Sequence, residues 1–209
     1  MTKAKPFIKW VGGKGQLIEQ LDAQLPADFG NWKKVTYIEP FIGGGAMLFY
    51  MLQRYPNIHH AVINDINPDL ATCYCTVRDN PEPLIESLKD IENAYLSLQS
   101  EEGRKEFFMA ARDRYNEKNL DPIENTTKFF FLNRTCFNGL YRVNKKGLFN
   151  VPFGKYANPT ICDPETIRKD SELLQRVEIL TGDFGAPDKP CGEAVLMLTQ
   201  KHVAKRYII

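Results

Sequence analysis

The chain has 209 residues, enough for one or two domains, with 43% hydrophobic and 25% charged residues and a formal net charge of only +1. That balance is ordinary for a soluble globular protein, and no apolar run is long enough to cross a bilayer. The N-terminal Met-Thr-Lys-Ala-Lys-Pro has no long apolar core, which argues against a signal peptide and leads us to expect a cytoplasmic location. Five cysteines (73, 75, 136, 162 and 191) are scattered, and Cys73–Cys75 is their one close pair. With no second pair or His cluster to complete a metal site, reduced and mostly buried thiols are expected, with no metal and a monomeric chain.

In chain order, Trp10-Val-Gly-Gly-Lys-Gly15 reads as a glycine turn followed by a helix over about 16–24. Val35, Tyr37 and Ile38 read as a buried strand ending in Glu39-Pro40. Three glycines follow (Gly43, Gly44, Gly45), and Ala46 to Leu52 begins a helix. Strand, glycine turn and helix make the first βα unit of a nucleotide-binding sheet. Glycine lets the backbone approach a ligand, and the open amides at the helix start attract polar or anionic groups. A second strand, Ala61 to Asn64, ends at Asp65, about 20 residues beyond the glycines, where an acidic residue accepts hydrogen bonds from ribose hydroxyls. The dinucleotide fingerprint needs a third glycine where this chain has Leu48, which disfavours a nicotinamide-dependent dehydrogenase. A Walker-type phosphate loop fails at Gly45-Ala46-Met47. With no phosphates to cradle, S-adenosylmethionine is the natural candidate.

Asn67-Pro68 starts another helix, with proline well placed at the first helical position. The pattern stays helical to about Asn138, over 84–98, 104–115 and 127–137. The segment 141–151 then reads as a β-hairpin with Gly147 in its turn. Asp163-Pro164 opens a helix to about Gln175, and Val177 to Thr181 is a strand ending at Gly182-Asp183-Phe184. From Asn125 to Cys162 there are six basic residues (Lys128, Arg134, Arg142, Lys145, Lys146, Lys155), no acidic ones and eight aromatics. Positive charge with interleaved aromatics suits nucleic-acid contact, although Phe129 to Phe131 read as packing residues. The division expected is an α/β domain of residues 1–67 plus 163–209, interrupted by a mostly helical domain of residues 68–162 that carries the hairpin.

Five collinear segments resemble the Dam-type DNA adenine-N6 methyltransferases: Lys9-Trp10-Val-Gly-Gly-Lys14, Glu39-Pro-Phe-Ile-Gly-Gly-Gly-Ala46, Asn64-Asp65-Ile-Asn67, the stretch from Leu132 to Asn144, and Phe149-Asn-Val-Pro-Phe-Gly-Lys-Tyr156. The resemblance implies a Rossmann-like methyltransferase sheet with an inserted target-recognition domain. It further implies S-adenosylmethionine as methyl donor and adenine in duplex DNA as acceptor, most often within GATC, in a restriction–modification or phage setting. By resemblance, Trp10 and Lys14 border the cofactor and its carboxylate, Phe41 and Gly43 to Gly45 hold its methionine end, and Asp65 holds its ribose. Asp183 and Phe184 resemble the pair beside its adenine ring. Lys9 resembles a base-contacting lysine, and Phe137 the residue that wedges into the stack near an extruded base. Asn138, Leu140, Arg142 and Pro152 would touch base edges or the thymine methyl. Arg134, Asn144 and Lys145 join the DNA-facing set, with plainer alternatives: a structural ion pair for Arg134 and service in the turn for the other two.

The family's Asp-Pro-Pro-Tyr motif would accept the amino hydrogens of adenine and stack its ring. It has no counterpart in these 209 residues, so no catalytic residue is assigned. Asp121-Pro122 and Asp163-Pro164 read as loop or helix starts. Residues 193–199 fit a strand in the expected place, but the Gln200-Lys201-His202 that follows supplies no carboxylate. The expectation is a frame change or truncation near Phe184, an incomplete sheet, and absent or very weak methylation by this chain alone. The alternative function is a non-catalytic DNA-binding or regulatory remnant.

Overall fold

The computed structural model describes residues 3–183 and, beyond them, the backbone of two short strands, 194–197 and 205–208. At the centre is a sheet in the order β3-β2-β1-β4-β5, made of β1 (Val35–Glu39), β2 (Ile58–Asp65), β3 (Val177–Thr181), β4 (Ala194–Met197) and β5 (Lys205–Ile208). β1 pairs in parallel with β2 on one side and β4 on the other, and β2 pairs in parallel with β3. β5 runs antiparallel to β4. Period-two alternation sends Val35 and Tyr37 into the main core and Ile38 to the opposite face, where its register partner Val62 meets it. The parallel register brings the carboxyl ends of β1 and β2 to one edge, with Glu39 opposite Ile63 and Asp65 two residues on.

Seven α-helices accompany the sheet among the described residues: α1 (Ile18–Asp22), α2 (Ala46–Arg54), α3 (Pro68–Asp79), α4 (Pro81–Ser97), α5 (Glu101–Asn116), α6 (Pro122–Thr135) and α7 (Pro164–Leu174). Three start with the same chemistry. The side chains of Asn67, Asp121 and Asp163 accept first-turn amides of α3, α6 and α7, and each is followed by a proline, whose missing N–H costs nothing there. Both Asp-Pro pairs are therefore helix caps. α1 is shorter than the sequence pattern predicts. One 3₁₀ turn, Lys14–Leu17, precedes its five residues, and neither piece has a side-chain cap to propagate it.

α6 lies among α3, α4 and α5 and buries Phe129, Phe130, Phe131 and Leu132. Phe130 stacks on Phe7 at 5.3 Å and Phe131 meets Tyr95 edge-on at 5.5 Å, so all three phenylalanines are packing residues. One apolar cluster runs from the sheet through these helices. Cys73, Cys136 and Cys162 are buried thiols, and Cys191 lies outside the described residues. No helix among the described residues is long and apolar enough to cross a membrane.

The predicted hairpin is the clearest departure. Residues 141–150 do reverse direction about a turn at Asn144 to Gly147, but the arms share a single antiparallel bridge, Val143 with Phe149, and neither is a strand. Two backbone bonds, Asn144 N–H to the Leu148 carbonyl and Asn150 N–H to the Arg142 carbonyl, flank that bridge, and side chains hold the rest. Asn144 Oδ1 accepts the amides of Lys146 and Leu148, Arg142 donates to Asn150, and Asn116 from α5 bonds both the N–H and the C=O of Phe149.

A glycine-walled cleft and a basic reading loop

The carboxyl ends of β1 and β2 open onto a cleft of about 550 Å³, lined by Trp10, Lys14, Glu39, Phe41, the three glycines, Asp65 and Ile66 among others. The glycine turn needs glycine on two grounds. Gly43 and Gly45 have φ of +51° and +75°, and a Cβ on Gly43 would stand 2.8 Å from Trp10 Cδ1, while one on Gly45 would collide with the Tyr74 hydroxyl. Tyr74 in turn donates to the Gly43 carbonyl at 2.9 Å. Asp65 ties the two strand ends together: its Oδ2 accepts the Gly43 amide at 3.1 Å and its Oδ1 the Asn67 amide at 3.0 Å. Gly45, the N-cap of α2, makes no side-chain cap, and it lines the cleft with Ala46, ahead of the Leu48 amide that bonds Glu39.

Glu39 lies at the bottom. It is fully buried, and its carboxylate accepts from Lys14 Nζ and from the Tyr37 hydroxyl, both at 2.8 Å; Lys14 also donates to the Phe41 carbonyl. Burial pushes the Glu39 carboxyl above its usual range. The Lys14 charge and bond, the Tyr37 hydroxyl and the Leu48 amide oppose that shift. Seven large hydrophobic side chains are exposed among the described residues, and four of them, Val11, Leu17, Phe41 and Ile66, line this cleft. Two carboxylates, one engaged cation and an apolar rim suit a hydroxyl-bearing zwitterion better than a polyphosphate.

A second group gathers where α6 ends. The Phe137 amide donates to the Pro152 carbonyl and the Gly154 amide to that of Thr135, closing residues 135–154 into one loop system. Phe137 is half exposed and Asn138 is held at φ +54°. The buried Asn133 side chain clamps this loop to the N-terminal segment. Its Oδ1 accepts the Lys9 amide at 2.8 Å, and its Nδ2 donates to the carbonyls of Lys9 and Gly139. The Lys9 stem fills the space a Cβ on Gly139 would need, and its Nζ lies 5.3 Å over the Tyr156 ring. Lys9, Phe137, Asn138, Arg142, Lys145 and Pro152 are exposed, and Leu140 is half-buried.

Several of these side chains have partners within the chain. Arg134 is half-buried: its Nη2 donates to the Phe7 carbonyl at 2.7 Å, burial lowers its pKa, and the bond ties α6 to the N-terminal segment. Asn144 spends its side-chain oxygen inside the turn, and Arg142 rests on Asn150 at 2.8 Å. Asp183 is exposed just past Gly182, whose amide donates to the Asp65 carbonyl and whose carbonyl accepts from Asn64; Phe184 lies outside the described residues. Sequence reasoning assigned no role to Glu39, Tyr74, Asn133 or Tyr141. Only Glu39 and Asn133 carried a hint, as polar residues inside otherwise apolar runs.

Residues 10–189 match the model of the D12 class N6 adenine-specific DNA methyltransferase family. The chain is 49% identical over 191 residues to the Type II methyltransferase M.MjaIII of Methanocaldococcus jannaschii, covering 90% of this chain and 65% of that protein. It is 38% identical to the Type II methyltransferase M1.LlaDCHI of Lactococcus lactis subsp. cremoris, covering 86% and 59%. It is 33% identical to a DNA adenine methylase of Vibrio cholerae, covering 88% and 60%. The chain thus spans about two thirds or less of the length of these curated relatives. A mixed α/β sheet with a glycine-walled cleft at its carboxyl edge, a basic loop beside it and a match over most of the sequence agree: the chain belongs to the D12 class of N6 adenine-specific DNA methyltransferases.

Proposed function

We propose that these residues form the cofactor-binding and DNA-reading portion of a methyltransferase that transfers the methyl of S-adenosylmethionine to adenine N6 in duplex DNA, within GATC. The observation that carries this reading is the cleft itself. Gly43 to Gly45 form a wall that a Cβ would fill, Lys14 and Glu39 offer paired charges for an amino acid's two ends, and Asp65 stands where ribose hydroxyls need an acceptor. When bound, the cofactor supplies an electrophilic methyl group. Trp10 and Phe41 flank its methionine end, Ile66 and Asp183 stand nearer its adenosine, and the apolar rim excludes water. Residues 1–67 and 163–209 form the cofactor domain, and residues 68–162 the target-recognition insert.

On this reading Lys9, Asn138, Leu140, Arg142 and Pro152 meet base edges, Phe137 fills the stack beside the displaced adenine, and Lys145 meets phosphate. Arg142 leaves Asn150 to do so. Amine activation requires the Asp-Pro-Pro-Tyr segment, which these 209 residues do not contain. The same fact favours a second reading, in which this polypeptide assayed alone binds DNA and cofactor without chemistry. Tritium transfer from labelled S-adenosylmethionine to duplexes with and without GATC tests both, with fluorescence anisotropy on the same duplexes. We expect GATC-preferring, salt-sensitive binding and little label. Label entering only the GATC duplex would show that another group activates the amine, and binding blind to GATC would remove the reading-loop assignment.

A further inference from the structure

Lys9 and Trp10 are adjacent in sequence but face different sites. Lys9 is clamped to the reading loop through Asn133 and Gly139, while Trp10 stands against Gly43 and Gly44. The Trp10 indole has an aromatic neighbour as well. Tyr141, between Leu140 and Arg142 in the reading loop, stacks on it with centroids 5.4 Å apart and planes at 23°. Tyr141 also lies against Phe129 of α6 at 5.2 Å and 25°, and Phe129 stands 6.5 Å from Trp10, so the three rings close a triangle between core and cleft. The tyrosine is aimed from below as well. Its hydroxyl lies 3.4 Å from Asp69 Oδ2, an oxygen that also accepts from Tyr115 at 2.6 Å and Lys118 at 2.7 Å. A loop that reads DNA and a ring that walls the cofactor are thus in direct contact through one side chain.

We infer that Tyr141 is a positioning residue that couples the two sites: through its stack on Trp10 it makes the fit of the reading loop to DNA set where the indole stands against the glycine turn. The inference presumes that the cleft takes S-adenosylmethionine and the loop takes DNA, as proposed above. A shift of Arg142 toward a base moves the residue next to it, and the Trp10 ring must follow or lose its nearer stacking contact and rest on Phe129 alone. The Gly43 backbone tolerates little movement there, since no Cβ-sized space separates it from the indole. Binding at one site then changes affinity at the other, and reciprocally.

The test uses the 209-residue chain, S-adenosylhomocysteine as cofactor probe and short duplexes with GATC or a scrambled site. Calorimetry gives the cofactor affinity with and without saturating duplex. In the wild type we expect GATC duplex, but not the scrambled one, to change it about five-fold or more. Tyr141→Leu should reduce that factor to about two or less while each ligand alone binds within about three-fold of wild type. Tyr141→Phe, which keeps the stack, should retain most of it. Indole emission supplies a readout independent of the Leu variant's folding. Trp32, the other tryptophan, is buried against Phe29, so a GATC-dependent shift in the wild type reports Trp10. Three results would overturn the inference: a wild type that binds both ligands with no coupling and no emission shift, undiminished coupling in Tyr141→Leu, or equal loss of both single-ligand affinities in that variant. A wild type that binds neither ligand would sink the proposed function instead.

Discussion

The cleft and the loop proposed to read DNA lie side by side but are built on different terms. In the cleft, backbone positions are over-determined. Gly43 is fixed by Asp65 at its amide, Tyr74 at its carbonyl and Trp10 against its Cα, and a fully buried carboxylate is satisfied by a lysine and a tyrosine. In the loop the frame is held, by Asn133, Asn116 and the Pro152 carbonyl, but Phe137, Asn138, Arg142 and Lys145 are exposed. A small ligand in a pocket rewards preorganisation. A long polyanion whose sequence must be sampled rewards side chains that can leave one partner for another.

This contrast can be broken most forcefully at the cleft floor. Lys14→Met leaves Glu39 buried without its cation and should cost about 3–5 kcal/mol by chemical denaturation near neutral pH. Part should return on acidification, because a buried carboxyl of raised pKa favours the protonated form, and its penalty grows as pH climbs from the ordinary carboxylate range up to the raised pKa and levels off above it. A loss that is flat with pH would mean that Lys14 acts by packing. Gly43→Ala should cost about 1–3 kcal/mol from its positive φ and its approach to Trp10, and should weaken S-adenosylhomocysteine binding at least ten-fold by calorimetry, with DNA affinity kept. A normal cofactor titration would show that the turn has slack.

The underside of the N-terminal segment offers a pH-dependent test. Asp170 of α7 is fully buried; its Oδ1 accepts the Lys5 amide at 3.1 Å, and burial foremost raises its pKa to about 8. Folding therefore favours its neutral form, and wild-type stability should fall from about pH 4 to about pH 8, then level off. Asp170→Asn should gain in melting temperature over wild type across that window and keep the gain above it. A constant difference would contradict the assignment. Smaller still are the loop effects. Arg142→Ala should leave the melting temperature near wild type while lowering discrimination between GATC and scrambled duplexes by about 1–3 kcal/mol. Lys145→Ala should weaken both duplexes alike and reduce the salt slope by about one. A variant that instead lost stability would move its residue from the reading surface to the frame.

The sequence was legible where a local rule is enough. β1, β2 and β3 announce themselves as short apolar runs, the turn by consecutive glycines, and α3 and α7 by an Asn-Pro or Asp-Pro start. It failed where a distant partner decides. The arms at 141–150 look like strands, but their pairing stops at one bridge, and the outward-facing N–H and C=O of Phe149 are taken by Asn116, 33 residues before it. Arg134 looks like a free cation in a basic stretch, and only folding shows its guanidinium on the Phe7 carbonyl. The Glu39–Lys14 pair and the Trp10–Tyr141 stack are likewise made by tertiary approach alone, which is why Glu39 and Tyr141 went unassigned.

The most direct test of the central claim, one chain segment carrying both a cofactor cleft and a separate reading loop, is calorimetric titration of S-adenosylhomocysteine into wild type, Gly43→Ala and Arg142→Ala. The account predicts one saturable site in the wild type, loss in Gly43→Ala and unchanged affinity in Arg142→Ala. No binding by the folded wild type, or equal weakening in both variants, would contradict it.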